Sequence, residues 1–228
     1  MRTWNVDDVM TTAVVSVEQT ASYRSLVDLL IENRFSAVPV VDPYLHVTGV
    51  VSEADLLRKI EYAGDEEPRL FEGRRRRGDR GKARARTAAE LMSTPPVVVR
   101  SGTPIAAAAR LMDAEGVKRL PVVDDLGRLV GIVSRCDLLK VHLRPDDDIH
   151  TEVTAGVLPT VPDLGEPGVA VEVTGGRVTL TGRVPRASTA DLVDRLTRQV
   201  AGVVDVVNDL EYDFDDRTTI GTGVVYVA

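Results

Sequence analysis

Several features that mark common functional classes are scarce or missing in this sequence. Cys136 is the only cysteine in 228 residues, which excludes an intramolecular disulfide and a Cys-x-x-Cys metal knuckle. We expect it to be a small buried side chain rather than a redox sensor. No apolar run approaches the roughly 18 residues that a membrane-spanning helix needs, and the first ten residues lack the apolar core of a signal peptide. We therefore predict a cytoplasmic protein without a structural zinc site.

The sequence also lacks a recognisable catalytic or metal-binding set. It contains no nucleophile elbow, no P-loop and no paired acid and base in a glycine-rich context. The histidines, His46, His142 and His150, have no spacing that suggests a metal cage. We predict a non-enzyme with no catalytic residues, no metal site and no required cofactor.

Charge is distributed unevenly along the chain. The net charge is −7, yet the segment Arg74–Arg86 contains eight basic residues and a single acidic one, Asp79. The surrounding stretch, 62–86, has few apolar residues and no periodicity, so we predict a flexible basic linker. Eight charges without interleaved aromatic residues do not make a dedicated nucleic-acid surface, and we expect no nucleic-acid partner. Electrostatic attachment of this strip to RNA, DNA or an acidic protein is the alternative.

The dominant feature of the sequence is an internal repeat. The motif GVVSEADLL at Gly49–Leu57 recurs as GIVSRCDLL at Gly131–Leu139, and the same offset of 82 residues relates Pro39 to Pro121. In each copy a β-branched strand ends at a serine, and an aspartate follows three residues later before two leucines. This pattern is typical of a buried strand followed by a helix N-terminus.

Each copy predicts the order strand, helix, strand, strand, helix. Val-rich runs at 14–17 and 97–99 predict the first strands, and Thr103 with Pro104 predicts the start of the second copy's first helix. A proline at the start of the PVV strand is tolerated where its missing N–H is not needed, which indicates an edge strand or a ligand-facing opening.

The repeated PVVD segment, polar turn and GhhSxxDLL motif resemble a tandem of cystathionine-β-synthase (CBS) domains, also called a Bateman module. The resemblance covers about residues 1–143, with one repeat over 1–61 and the other over 87–143. It implies an α+β fold in which two β-α-β-β-α repeats pack as a pair. It also implies a homodimer formed through the CBS pair.

The same resemblance implies an adenosyl ligand in the cleft between the repeats, namely AMP, ADP, ATP or S-adenosylmethionine. Asp55 and Asp137 would then bind the ribose hydroxyls, while Ser52 and Ser134 would lie near phosphate at helix N-termini. A serine followed three residues later by an acid is also a capping box, so these residues could serve helix stability alone. The other ligand contacts that we assign are Ala37, Pro39, Lys118, Arg119 and Pro121.

The two copies differ in charge near the expected ligand. The second carries Lys118 and Arg119 where the first has uncharged residues, and Arg135 where the first has Glu53. We therefore expect the second cleft to be more favourable for phosphate. One occupied cleft per chain is as compatible with the sequence as two.

The pattern changes near residue 149. Ile149, Val153 and Val157 form one helical stripe, and Asp146–Asp148 before it are interpreted as a hinge and cap. Two alternating segments flank a Gly175-Gly176 turn, which is a strong signal for a β-hairpin. A further helix and a last strand complete the segment.

The order helix, strand, strand, helix, strand, with the VTLTG and GVVDVVNDL segments, resembles a BON domain over 149–214. Ser188 is the candidate N-cap of its second helix, and 215–228 is interpreted as a tail. The resemblance implies a small αββαβ domain with a protein or phospholipid partner.

The sequence therefore predicts a cytoplasmic regulatory sensor. Its CBS pair would bind an adenine nucleotide or another adenosyl ligand, and its BON domain would serve interaction or attachment. The alternatives are a ligand-free structural protein that dimerises through the CBS pair, and membrane-surface or envelope association through BON.

Overall fold

The computed structural model describes residues 4–62, 82–166 and 168–217. These residues form two compact units: one contains 5–138, and the other contains 139–217 together with Trp4. Three sheets of three strands each are combined with helices, which confirms the predicted α+β class. Most of the predicted linker, 63–81, and most of the predicted tail, 218–228, lie outside the described residues.

The first copy follows the predicted order after a short 3-10 turn. Its first helix begins where Ser22 accepts a hydrogen bond from the Ser25 N–H, and it ends at Arg34, which has a left-handed φ of 54°. The elements are the 3-10 turn Val6–Asp8, β1 (Val17–Glu18), α1 (Tyr23–Asn33), β2 (Ala37–Val41), β3 (Val47–Ser52) and α2 (Glu53–Glu61).

The second copy repeats this order. Two boundaries differ from the prediction: the first strand of each copy occupies only the end of its Val-rich run, and Pro104 with its extended ψ of 138° lies before the helix instead of within it. The elements are α3 (Ala88–Leu91), β4 (Val99–Arg100), α4 (Ile105–Ala114), β5 (Arg119–Val123), β6 (Leu129–Ser134) and α5 (Arg135–Leu139).

The proline-containing strands β2 and β5 lie in the centre of their sheets, in the orders β1-β2-β3 and β4-β5-β6. The edge position, one of the two alternatives that the sequence offered, is therefore wrong. Pro39 pairs with Val50, but both backbone groups of Val50 bond to Ser93 instead of to β2. On the other side, β1 begins only at the level of Val40. No ladder hydrogen bond thus requires the missing N–H of Pro39, although its strand is central.

The opening segments of the two copies, residues 5–11 and 87–93, are exchanged: each lies against the sheet of the other copy. Thr11 forms two backbone hydrogen bonds of 2.9 Å with Ile132 in the second copy's sheet. The equivalent Ser93 bonds Val50 of the first copy's sheet in both directions, at 2.9 and 3.3 Å. Each opening segment therefore extends the sheet of the other copy, which joins the two repeats into one body.

The exchange continues in the hydrophobic core. Ala88 and Leu91, in the second copy's opening helix α3, are fully buried in a cluster with Leu26 and Leu30 of α1. Ala85, at 2% exposure, belongs to the same cluster. Ala85, which lies in the part of the chain predicted as the end of the linker, therefore packs on the first copy.

The first α-helix of the second unit starts at residue 146, three residues before the predicted domain boundary. Ile149, Val153 and Val157 are all buried, as the helical stripe predicts. After a 3-10 turn at Lys140–Leu143, the elements are α6 (Asp146–Thr151), a π-helical segment (Glu152–Val157), a 3-10 turn (Leu158–Thr160), β7 (Gly168–Thr174), β8 (Arg177–Arg186), α7 (Ala187–Thr197) and β9 (Asp205–Phe214).

Two aspartates of this unit accept hydrogen bonds that secure a turn and a helix start. Asp146 accepts hydrogen bonds from the N–H groups of Gly175 and Gly176, at 2.7 and 2.9 Å, where both glycines have positive φ as a type I′ hairpin requires. Ser188 is not the N-cap of α7, because the helix already begins at Ala187. Instead, the Ser188 N–H and hydroxyl both donate to Asp216, so a residue of the predicted tail caps the helix.

Candidate functional site

A cavity of about 230 Å³ lies between the two copies. Ala37, Ser52 and Asp55 of the first copy and Lys118 and Arg119 of the second copy all line it. The structure thus brings five of the nine predicted ligand residues into one cleft. The other four predicted residues, which do not line this cavity, are Pro39, Pro121, Ser134 and Asp137.

The serine and aspartate of each motif form the same hydrogen-bonded pair. The Asp55 Oδ2 atom accepts from the Ser52 N–H at 2.8 Å and from the Ser52 hydroxyl at 2.7 Å. Asp137 Oδ2 accepts from Ser134 in the same way, at 2.9 and 2.6 Å. The capping role is therefore present in both copies, and it fixes the orientation of both carboxylates.

A residue that the sequence analysis did not select completes the environment of Asp55. The Lys82 ammonium forms an ion pair with Asp55 Oδ1 and donates to the Ser93 hydroxyl at 3.0 Å. The side chains of Lys82 and Asp55 are only 21% and 12% exposed. Lys82 is the one lysine among the basic residues of Arg74–Arg86, but the sequence pattern does not indicate that it folds back on the cleft.

The cations of the second copy reach the cavity of the first motif. The sequence assigned Lys118 and Arg119 to the second cleft, whereas both line the cavity that contains Asp55. The Arg119 Nε donates to the Ser36 hydroxyl at 2.7 Å, a contact between the copies. Glu53 also lines this cavity, so its wall carries charges of both signs.

Cys136 does not behave as predicted. It lies in the first turn of α5 but is exposed, so the expectation of a small buried side chain is wrong. Among the described residues, no group of three or more His, Cys, Asp or Glu side chains could hold a metal ion. None of the helices formed by these residues is long and apolar enough to cross a membrane.

The sequence profile of the CBS domain matches residues 6–62 and 88–144, which correspond to the two copies that form this cleft. The chain belongs to the CBS domain family. The profile of the BON domain matches 145–213, so a CBS pair is followed by a C-terminal BON domain, as the sequence analysis predicted. The BON match begins beside Asp146, where the structure also places the first helix of that unit.

Characterised relatives resemble the CBS pair of this chain. The chloroplastic proteins CBSX1 and CBSX2 of Arabidopsis thaliana are each 30% identical over 138 residues, which cover 56% of this chain and 58% of the relative. The chain thus spans less than two thirds of the length of these relatives. The crystal structure of CBSX2 in complex with AMP is 32% identical, with a TM-score of 0.55, and the match covers 61% of this chain and 97% of that one.

Proposed function

We propose that this CBS protein is a non-catalytic regulatory sensor that binds AMP, ADP, ATP or S-adenosylmethionine in the cavity beside Asp55. The observation that carries the proposal is the convergence of Ser52, Asp55, Lys118 and Arg119 on one cavity between the copies. The AMP complex of CBSX2 supports the ligand class, since that protein has the same fold at 32% identity.

The cavity offers different chemistry to different parts of an adenosyl ligand. The Asp55 carboxylate is an acceptor for ribose hydroxyls, and it is held in place by Ser52. Phosphate oxygens favour Lys118, Arg119 and the N-terminus of α2, all of which contribute residues to the cavity lining. Glu53 opposes phosphate at that terminus, so a ligand with little negative charge is also compatible with the site.

The proposed regulation follows from the exchange of opening segments. The cavity wall combines residues of both copies, so a bound ligand contacts both and favours one arrangement of the pair. Only a difference in affinity between two arrangements can drive such a response. The BON domain would pass this response to a partner, and we place the protein in the cytoplasm.

We infer that a second copy of the chain covers the apolar face of α1 and α2. Ile31, Leu57 and Ile60 are 71%, 50% and 70% exposed beside a groove between these helices. Three large exposed apolar side chains on one face favour association with another protein. A second copy of the chain is present at the same concentration and can form a symmetric dimer. Light scattering tests this: Ile60→Asp should give monomers, and a wild type that is already monomeric would contradict it.

Charge favours a protein partner for the BON domain over a phospholipid surface. Residues 139–217 carry eight basic and fifteen acidic side chains. Anionic lipid headgroups repel such a surface, whereas a basic protein complements it. Co-sedimentation with phosphatidylserine vesicles tests this, and substantial binding would contradict the preference.

The ligand is tested by thermal unfolding and titration calorimetry with AMP, ADP, ATP and S-adenosylmethionine. A ligand at 100 times its Kd stabilises the folded state by about 2.7 kcal/mol. Asp55→Asn and Asp137→Asn form a matched pair, since each changes the same capping carboxylate in its own copy. We expect Asp55→Asn to lose binding and Asp137→Asn to retain it. The absence of binding by folded wild-type protein would instead favour a ligand-free structural dimer.

A further inference from the structure

We propose that Lys82 is an internal competitor for the ligand. Its ammonium group holds the Asp55 carboxylate that the ribose of an adenosyl ligand would otherwise use. Donation by both ribose hydroxyls to Asp55 would then require exchange of this ion pair, so the site inhibits its own ligand. The inference rests on the proposed function, because it concerns the same cavity.

The hydrogen bonds of Asp55 leave one position for competition. Oδ2 already accepts two hydrogen bonds from Ser52, at 2.8 and 2.7 Å. Oδ1 is the atom that Lys82 contacts. A carboxylate oxygen has about two acceptor sites, so Oδ2 is filled and Oδ1 keeps one site beside the one that Lys82 occupies. A ribose diol that donates both of its hydroxyls must therefore take both sites of Oδ1. The ammonium and the diol therefore compete for the same atom.

Lys82 is held at this position by its own segment. Ala85, three residues later, is buried in the first copy's core, and its carbonyl accepts a hydrogen bond from Lys59 at 3.2 Å. The second contact of Lys82, with the Ser93 hydroxyl, lies at the cavity wall. Because the backbone is anchored nearby, the ammonium can leave Asp55 by rotation of its side chain while the segment stays in place.

The residue type suits a contact that must be exchanged. Seven of the eight basic residues in Arg74–Arg86 are arginines, and the one that contacts the cleft is the lysine. An arginine could bind a carboxylate through two parallel hydrogen bonds, whereas an ammonium is a point charge on a flexible stem. A lysine is therefore displaced more easily than an arginine would be.

The size of the effect on affinity follows from the fraction of molecules in which Lys82 is paired with Asp55. The apparent Kd equals the intrinsic Kd divided by the fraction of molecules in which Asp55 is accessible. A charge-assisted hydrogen bond stabilises a sheltered pair more than an exposed one. For this partly exposed pair we expect Lys82 to weaken binding by about 5- to 30-fold.

The test measures adenosine binding to the full chain by calorimetry, because adenosine has the ribose diol but no charge. Lys82→Gln should bind adenosine about 5- to 30-fold more tightly than wild type. The matched control is Arg84→Gln, which removes one positive charge from an exposed position of the same segment and should leave the affinity unchanged. 2′,3′-Dideoxyadenosine, which lacks the diol, should not gain affinity in Lys82→Gln.

The outcomes separate this inference from the proposed function. If wild type and Lys82→Gln bind adenosine equally, or if Lys82→Gln binds more weakly, the competition is refuted while the adenosyl site stands. If none of the proteins binds adenosine, AMP, ADP, ATP or S-adenosylmethionine, the proposed function fails and the inference fails with it.

Discussion

The exchange of opening segments predicts that two equivalent glycines differ in their tolerance of alanine. Gly49 and Gly131 occupy the same place in the two copies, and each faces a methionine of the other copy's opening segment. A Cβ on Gly49 would lie 2.7 Å from Met92 Cγ and 2.8 Å from Met92 Cβ, with Sδ closer still. A Cβ on Gly131 would meet Met10 Sδ, with Cγ at 3.1 Å and Cε at 3.2 Å.

These contacts give the magnitude of each effect. Met92 Cβ is fixed to the backbone, so Gly49→Ala must displace the opening segment, and overpacking of this kind costs about 1–3 kcal/mol. The atoms of Met10 nearest to Gly131 belong to the mobile part of its side chain and can rotate away. Alanine also reduces the conformational entropy of the unfolded chain, which stabilises the folded state by about 0.4–1 kcal/mol. This gain offsets much of the smaller steric cost at Gly131. We expect destabilisation of about 2 kcal/mol for Gly49→Ala and close to zero for Gly131→Ala.

Thermal unfolding measures this difference. About 2 kcal/mol should lower the unfolding temperature of Gly49→Ala by about 4–8 °C in a chain of this size. Adding Met92→Ala should restore only part of the loss, since the Cβ contact at 2.8 Å remains. Equal destabilisation by the two glycine variants, or a neutral Gly49→Ala, would refute the inferred packing of Met92 on the first copy's sheet.

Three further predictions concern aspartates that hold turns and helix ends. Asp146→Ala removes both hydrogen bonds to the hairpin turn and should destabilise the BON domain by about 1–2 kcal/mol in urea unfolding, while Asp147→Ala should not. Asp216→Ala should destabilise the same domain because Ser188 loses both of its acceptors. The Arg128 N–H and then its guanidinium hold the pKa of Asp124 below the ordinary value of about 3.9. The contribution of Asp124 to the free energy of unfolding is present above that value and is lost as pH falls through the lower folded pKa. Asp124→Asn should therefore show weaker acid destabilisation than wild type in a pH series of unfolding curves.

The sequence predicts those features of the fold that depend on a local residue pattern. The 82-residue offset, the strand-to-helix motif and the glycine pair at Gly175-Gly176 each specify a local geometry, and all three are found in the structure. The buried stripe of Ile149, Val153 and Val157 follows in the same way from helical spacing. The two family resemblances depend on these patterns, which is why they are confirmed.

The remaining features depend on distant partners. Periodicity shows that a segment has an apolar face, but it does not show that Leu91 packs in the core of the other copy. Composition describes Lys82 as one charge in a basic strip, although it pairs with Asp55. The exposure of Cys136 and the central position of Pro39 likewise depend on neighbours that the local sequence does not reveal.

The exchanged segments also determine how the chain can be divided. A cut anywhere between 62 and 82 would separate residues 85–93 from the sheet that they complete, and Thr11 from its partner Ile132. Each fragment would then carry the segment that the other needs. Two such fragments are expected to be unstable alone and to reassemble when they are produced together. Fused to two other proteins, they would therefore report the association of those proteins.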